Sequence, residues 1–270
     1  MDTPRISRPV LTFFRRIVRG YFRRHFHAVR ISGADRFSGL KDAPEPLIVY
    51  GNHGSWWDPM VAFLLADRLM RGRQHFAPMD AEALERYKIL KQVGIFPVEI
   101  KTGRGAVQFL RTSEAIVRGG GVLWITPQGK FVDGRVRPLE FMPGLATLAV
   151  RLAEQTGACR VLPLAIEYTY WDERLPECLL HMEEALLMKP GDTAGGVEAR
   201  LIAALEKGMD QLKAMAIARD PSLFETMARG MVGVGGFYSM SQRMKAALLR
   251  RPYLAEHTLP PTAGEASKEC

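Results

Sequence analysis

From Leu47 onward, short apolar runs alternate with longer helical segments, and this alternation narrows the fold more than any other feature of the chain. Leu47-Ile48-Val49-Tyr50 ends in Gly51-Asn52 and reads as a buried strand leading into a loop. Pro59 to Leu69 is apolar on most sides and reads as a helix, with Asp58 as its N-cap and Pro59 in its first turn. A charged helix is expected over 80–91 and a second strand over Ile95 to Val98. A helix over 104–118, stopped by Gly119-Gly120-Gly121, leads into a third strand, Val122 to Ile125. Phe141-Met142-Pro143-Gly144 opens another helix that runs to about Gln155 and closes at Gly157, and Val161 to Ile166 is the fourth strand. Val197, Leu201, Ala204, Leu205, Leu212 and Met215 then recur at helical spacing. Strands alternating with helices of this length predict an α/β domain with a mainly parallel central sheet flanked by helices.

Charge is distributed unevenly. The 270 residues carry a formal +8, yet residues 1–30 hold eight Arg against one Asp and residues 226–251 hold five basic residues and no acid. The region between them is slightly acidic and carries no recognised nucleic-acid motif, so no nucleic-acid partner is expected despite a pI near 9.6. At 100° per residue, Val10, Phe13, Phe14, Ile17, Val18 and Tyr21 share one face of segment 8–27. Arg8, Arg15, Arg16, Arg19 and Arg23 gather opposite. That pattern fits a helix lying on an anionic membrane surface; a surface helix docked on the domain, its arginines solvated, is the plainer alternative.

No apolar stretch is long enough for a transmembrane helix, and arginines interrupt the only N-terminal segment that resembles a signal peptide. The expected location is the cytoplasmic face of a membrane, held peripherally. Three scattered cysteines fit a reducing compartment and offer no metal spacing. The layout expected is a basic amphipathic membrane-associating helix over 1–30, the main domain over 31–225, a Gly/Met-rich basic arm over 226–255 and a disordered tail over 256–270.

The strongest chemical signal is Asn52-His53-Gly54-Ser55-Trp56-Trp57-Asp58. An imidazole just past a strand end and a carboxylate at the start of the next helix can meet across a tight turn. The carboxylate then holds the imidazole tautomer and makes it a competent general base. His-x4-Asp spacing is weak by itself. Asp58 as a plain N-cap and His53 as a loop histidine bonded to backbone are the bland readings. Ser55 beside His53 invites a nucleophile reading, which the lack of a GxSxG elbow disfavours. Trp56 and Trp57 suit core packing and a lipid-facing role equally well, and Glu183-Glu184 reads as solvated charge.

Asn52-His53-x4-Asp58 resembles the first signature of the glycerolipid acyltransferase family, which includes 1-acylglycerol-3-phosphate acyltransferases. Gly94-Ile95-Phe96-Pro97-Val98 resembles the second block and Pro127-Gln128-Gly129 the third. Phe141-Met142-Pro143-Gly144 resembles its usual follow-on, and Val161-Leu162-Pro163-Leu164 the fourth. The resemblance covers about 47–168. It implies an O-acyltransferase of phospholipid biosynthesis moving a fatty acyl group from acyl-CoA or acyl carrier protein to a lysolipid hydroxyl, with His53 as base and Asp58 as its orienter. It also implies substrate contacts from Asn52, Lys101, Arg104, Gln128, Gly129, Lys130 and Gly144. No cofactor or metal is expected beyond the thioester co-substrate.

Three departures bear on the acceptor. Ile100 stands where the second block usually has an arginine, Gln128 replaces the usual acidic residue of the third, and Phe131 stands where an arginine usually follows. Those blocks are associated with an acceptor phosphate, so a non-phosphate acceptor such as a glycolipid is an open alternative, as is a catalytically silent lipid-binding protein on the same fold.

Overall fold

The computed structural model describes residues 4–100 and 102–231. Its elements run α1 (Arg8–His25), β1 (Ala28–Ser32), α2 (Ala34–Ser38), β2 (Leu47–Gly51), α3 (Asp58–Leu69), β3 (His75–Asp80), α4 (Ala81–Arg86), a 3-10 turn (Lys88–Val93), β4 (Ile95–Val98), α5 (Gly103–Arg118), β5 (Val122–Ile125), α6 (Leu145–Thr156), β6 (Cys159–Thr169), β7 (Glu177–Met182), β8 (Leu186–Met188), α7 (Ala194–Ala218) and β9 (Glu225–Arg229). Among the described residues, nine strands form one sheet in the order β4-β3-β5-β2-β6-β7-β1-β9, with β8 also on β6. The pairings from β4 to β6, and β7 with β1, are parallel. β6–β7, β6–β8 and β1–β9 are antiparallel. The mainly parallel sheet expected from the sequence is present.

The apolar run of β2 is buried on both sides because the sheet carries helices on both faces. Leu47 and Val49 point into a core with α1, α2 and α3, whereas Ile48 and Tyr50 point into a second core with α5, α6 and α7. Neighbouring strands β2 and β5 therefore send their following helices to opposite faces. In α/β sheets ligands are placed outside the carboxyl ends of the strands. The loop Asn52–Trp57 leaves β2 there.

Several elements differ from expectation. The 80–91 helix splits into α4 and the 3-10 turn. Asp58 is already the first residue of α3, with Trp57 in the cap position, and its carboxylate does not cap the helix. β1, β3, β7, β8 and β9 were not visible as strands. β1 contains Arg30, which is buried because Nε donates to Glu177 Oε2 at 3.0 Å. β3 contains Pro78, a residue that argues against a strand. The expected boundary at 225/226 falls inside β9, which pairs with β1, so the start of the expected arm belongs to the sheet. From 232 onward, the rest of that arm and the expected tail lie outside the described residues.

Segment 8–27 does form a helix, but its division into a free apolar face and a solvated basic face is not what the structure shows. The docked side is turned toward Val18 and Phe22, which are buried, and Phe14 meets Phe63 of α3 edge to face. Arg15 and Arg19, expected in solvent, both reach the buried carboxylate of Asp67 on α3, as does Arg71. A buried carboxylate needs such counter-charges, and satisfying it rotates the helix. Phe13 remains 60% exposed and Tyr21 is also exposed.

Candidate active site

The site is built from the residues that follow β2. Asn52 is buried and spends both polar atoms on one residue of β6: Nδ2 donates to the Ile166 carbonyl at 2.9 Å and Oδ1 accepts from the Ile166 amide at 2.8 Å. It therefore ties the strand end to β6, a different task from the substrate contact the motif implied. Beyond it, the His53 amide donates to Gln128 Oε1 at 2.8 Å and the Val132 amide donates to the His53 carbonyl at 2.8 Å. His53 is thus clamped through its backbone, and neither bond occupies the ring.

His53 Nδ1 lies 2.8 Å from Asp58 Oδ2. Asp58 is only 3% exposed, and the Ser55 amide donates to the same Oδ2 at 3.0 Å. The carboxylate turns back across the loop instead of forward onto the helix amides, which is why it is no N-cap. Its other oxygen, Oδ1, accepts from the Tyr168 hydroxyl at 2.7 Å. Tyr168 and the neighbouring Cys178 are held above their ordinary range, first by burial. With Nδ1–H donating to Asp58, Nε2 is the basic nitrogen of His53. The His53 side chain keeps 17% of its surface open. The ring of Phe131, 59% exposed, stands 4.6 Å from the imidazole between centroids.

Ser55 Oγ accepts from the Trp57 amide at 3.3 Å, making it a turn residue. Trp57 packs into the core between Phe22 and Phe26 of the α1 end, and Trp56 points outward at 57% exposure. Gly129 has φ +64°, and a β-carbon there would overlap the Met142 sulfur. Its amide donates to the Thr126 carbonyl and so is no free anion donor. Gly144 caps the start of α6 at φ +139° beside Phe109. Lys130 is exposed next to Phe131. Arg104 lies in the first turn of α5, beyond β4, and three strand spacings separate β4 from β2, about 14 Å. Lys101 lies outside the described residues.

Away from the site, Glu183 is buried with Lys207 rather than solvated, while Glu184 is exposed. Cys159 is buried, its thiol pushed up to about 12 by desolvation. Among the described residues no helix is long and apolar enough to cross a membrane, and no cluster of three or more His, Cys, Asp or Glu could hold a metal.

Sequence reasoning expected the contact between His53 and Asp58, which the structure brings within 2.8 Å, and passed over Tyr168, because nothing near Tyr168 in sequence marks it. Alternation along β6 would only have placed it on the same face as Ile166.

The family model described as Acyltransferase matches residues 34–167, from the start of α2 to the last third of β6. No curated protein matches the chain at a significant level. Among solved structures, the fold is similar to that of the 1-acyl-sn-glycerophosphate (LPA) acyltransferase PlsC from Thermotoga maritima. The TM-score is 0.53 at 17% identity, covering 76% of this chain and 79% of that one. At that identity the likeness is one of fold. The matched region contains the whole His53–Asp58 loop and all the motif blocks read from the sequence; these residues form a domain of the Acyltransferase family, and the chain is an acyltransferase.

Proposed function

We propose that this enzyme transfers a fatty acyl group from acyl-CoA or acyl carrier protein to the hydroxyl of a lysolipid, with His53 as general base. The observation that carries the reading is the 2.8 Å contact between His53 Nδ1 and the buried Asp58 carboxylate. Nε2 takes the proton of the acceptor hydroxyl as its oxygen attacks the thioester carbonyl, and Asp58 stabilises the imidazolium that forms. The tetrahedral intermediate collapses by breaking the C–S bond, and the thiolate takes the proton back from His53, giving ester and free thiol. The oxyanion needs N–H donors. In the loop beside His53 the Gly129 and Val132 amides are already spent, which leaves those of Lys130 and Phe131, with the start of α6 at Gly144 as the other source.

Purified enzyme with long-chain acyl-CoA or acyl carrier protein thioester and a panel of lysolipids should release thiol only with the right acceptor. His53→Ala should abolish release, and Asp58→Asn should reduce it by a factor on the order of 10² or more. Retained turnover in His53→Ala removes the base from the mechanism. If no donor and acceptor pair turns over, the silent lipid-binding reading replaces the enzyme.

A second reading of the acceptor is favoured by Phe131. Its ring flanks the base, and the nearby cations Arg135 and Arg137 are paired with Asp133 and Asp210. These features suit a hydroxyl without an adjacent phosphate, as on a glycolipid. Lysophosphatidate turning over faster than every neutral acceptor in the panel would reject it.

The proposed location is a membrane surface. Phe13, Tyr21 and Trp56 are outward aromatic groups, and Arg16, Arg23 and Arg24 are exposed on the same helix. Aromatic side chains combined with cations suit an anionic leaflet.

A further inference from the structure

A carboxylate held at one oxygen still turns about its Cβ–Cγ bond, because that torsion is broad. His53 and Ser55 both donate to Oδ2 of Asp58, so neither fixes the carboxylate plane alone. The group is buried too deeply for solvent to complete its shell. Among the described residues the one donor on Oδ1 is the hydroxyl of Tyr168, 110 positions away in sequence, at 2.7 Å.

We propose that Tyr168 is a positioning residue for acyl transfer: by holding Oδ1 it sets the plane of Asp58, so that Oδ2 keeps His53 in the Nδ1–H tautomer with Nε2 as the base. The proposal rests on the His53–Asp58 reading above. Three features of the surroundings support it. Burial holds the Tyr168 phenol above its ordinary range, so it stays a neutral donor across the working pH. Its ring leans on Phe26 at 5.7 Å between centroids, and Phe26 meets Trp57 edge to face at 4.9 Å. Trp57 immediately precedes Asp58, so the residues at the end of α1 brace both the acid's donor and the acid's own backbone. Finally, Tyr168 sits two residues beyond Ile166, the partner of Asn52, on the same side of β6. One strand therefore holds both ends of the catalytic loop.

Tyr168→Phe removes only the hydroxyl and keeps the ring packing. In this variant kcat should fall about tenfold, with KM for donor and acceptor within about twofold of wild type. Nitrogen-15 shifts of the His53 ring should change from a single Nδ1–H form to a tautomer mixture. In an Asp58→Asn background the same substitution should change kcat by less than about twofold, because residues acting as a unit are not additive. A Tyr168→Phe enzyme with wild-type kcat and one tautomer overturns the proposal, as does an equal loss in the Asp58→Asn background. If the variant does not fold, the wild-type spectrum decides, since mixed tautomers there would show that the carboxylate plane is not held. The ring spectrum reads Tyr168 even if the wild type turns over no acceptor, so failure of the enzyme reading and failure of this inference have different signatures.

Discussion

Gln128 shows how a residue changes meaning once its neighbours are known. By sequence it is a neutral substitute for an acid, placed among the substrate contacts. In the fold it is buried, and its carbonyl oxygen takes the His53 amide. Removing that acceptor leaves a largely enclosed N–H unpaired, a loss of about 1–3 kcal/mol, and releases the backbone that carries the proposed base. Gln128→Leu should therefore lower kcat at least tenfold, and Gln128→Glu, which keeps an acceptor oxygen, should retain most activity. Steady-state kinetics on the two variants checks this, and equal losses would show that the oxygen is not what counts. The pair His53 and Asp58 was legible because strand, loop and helix signals all lie within a dozen residues. Asn52, Gln128 and Tyr168 were not, because each acquires its role from a partner between 75 and 114 positions away. Only the sheet order brings those partners together.

Among the elements, α1 departs furthest from its sequence pattern. A helical wheel recognises an apolar stripe, but it has no knowledge of Asp67, whose burial draws Arg15 and Arg19 inward and turns part of the stripe outward. The helix is therefore both a structural member and the proposed membrane contact. Deleting residues 1–27 would uncover the seat of Val18 and Phe22 and disturb Trp57, so it tests stability together with binding. Phe13→Ser combined with Arg16→Ser alters only exposed side chains. It should cut flotation with anionic vesicles at least fivefold while leaving the melting temperature within a few degrees, since exposed positions contribute little to stability. Unchanged flotation would mean that another surface makes the contact. The strands read correctly were those with uninterrupted apolar runs. β1, β3, β7 and β9 escaped because each carries a polar residue or proline that the sheet accommodates: Arg30 against Glu177, His75 against Trp124, Thr226 against Arg30.

At the level of the whole molecule, stability should fall in mild acid. His75 lies between Met70 and Trp124: Nε2 donates to the Met70 carbonyl, and Nδ1 accepts from the indole N–H. Desolvation pushes its pKa down to about 4. In the unfolded chain the same ring takes up a proton below about 6.5. The unfolded state therefore binds more protons between those values, and stability present above 6.5 is lost as pH falls toward 4. By pH 5 the loss from this group is about 2 kcal/mol. His181, also lowered by burial, acts in the same direction. Thermal melts from pH 7.5 to 5 should show the decline, and His75→Gln should flatten it. An unchanged slope in that variant would assign the acid sensitivity elsewhere.

β6 runs eleven residues, from Cys159 to Thr169, whereas β2 beside it stops at Gly51, opposite Leu164. The overhang is a ready-made wall against which the loop after β2 is laid, with Ile166 and Tyr168 as its two fixing points on one face. Because neighbouring residues of a strand face opposite ways, a slip of one position would present Glu167 in place of Tyr168 and dismantle both attachments together. Correct zippering of two central strands thus assembles the proposed reactive loop, and a chain that pairs them wrongly lacks both of its attachments.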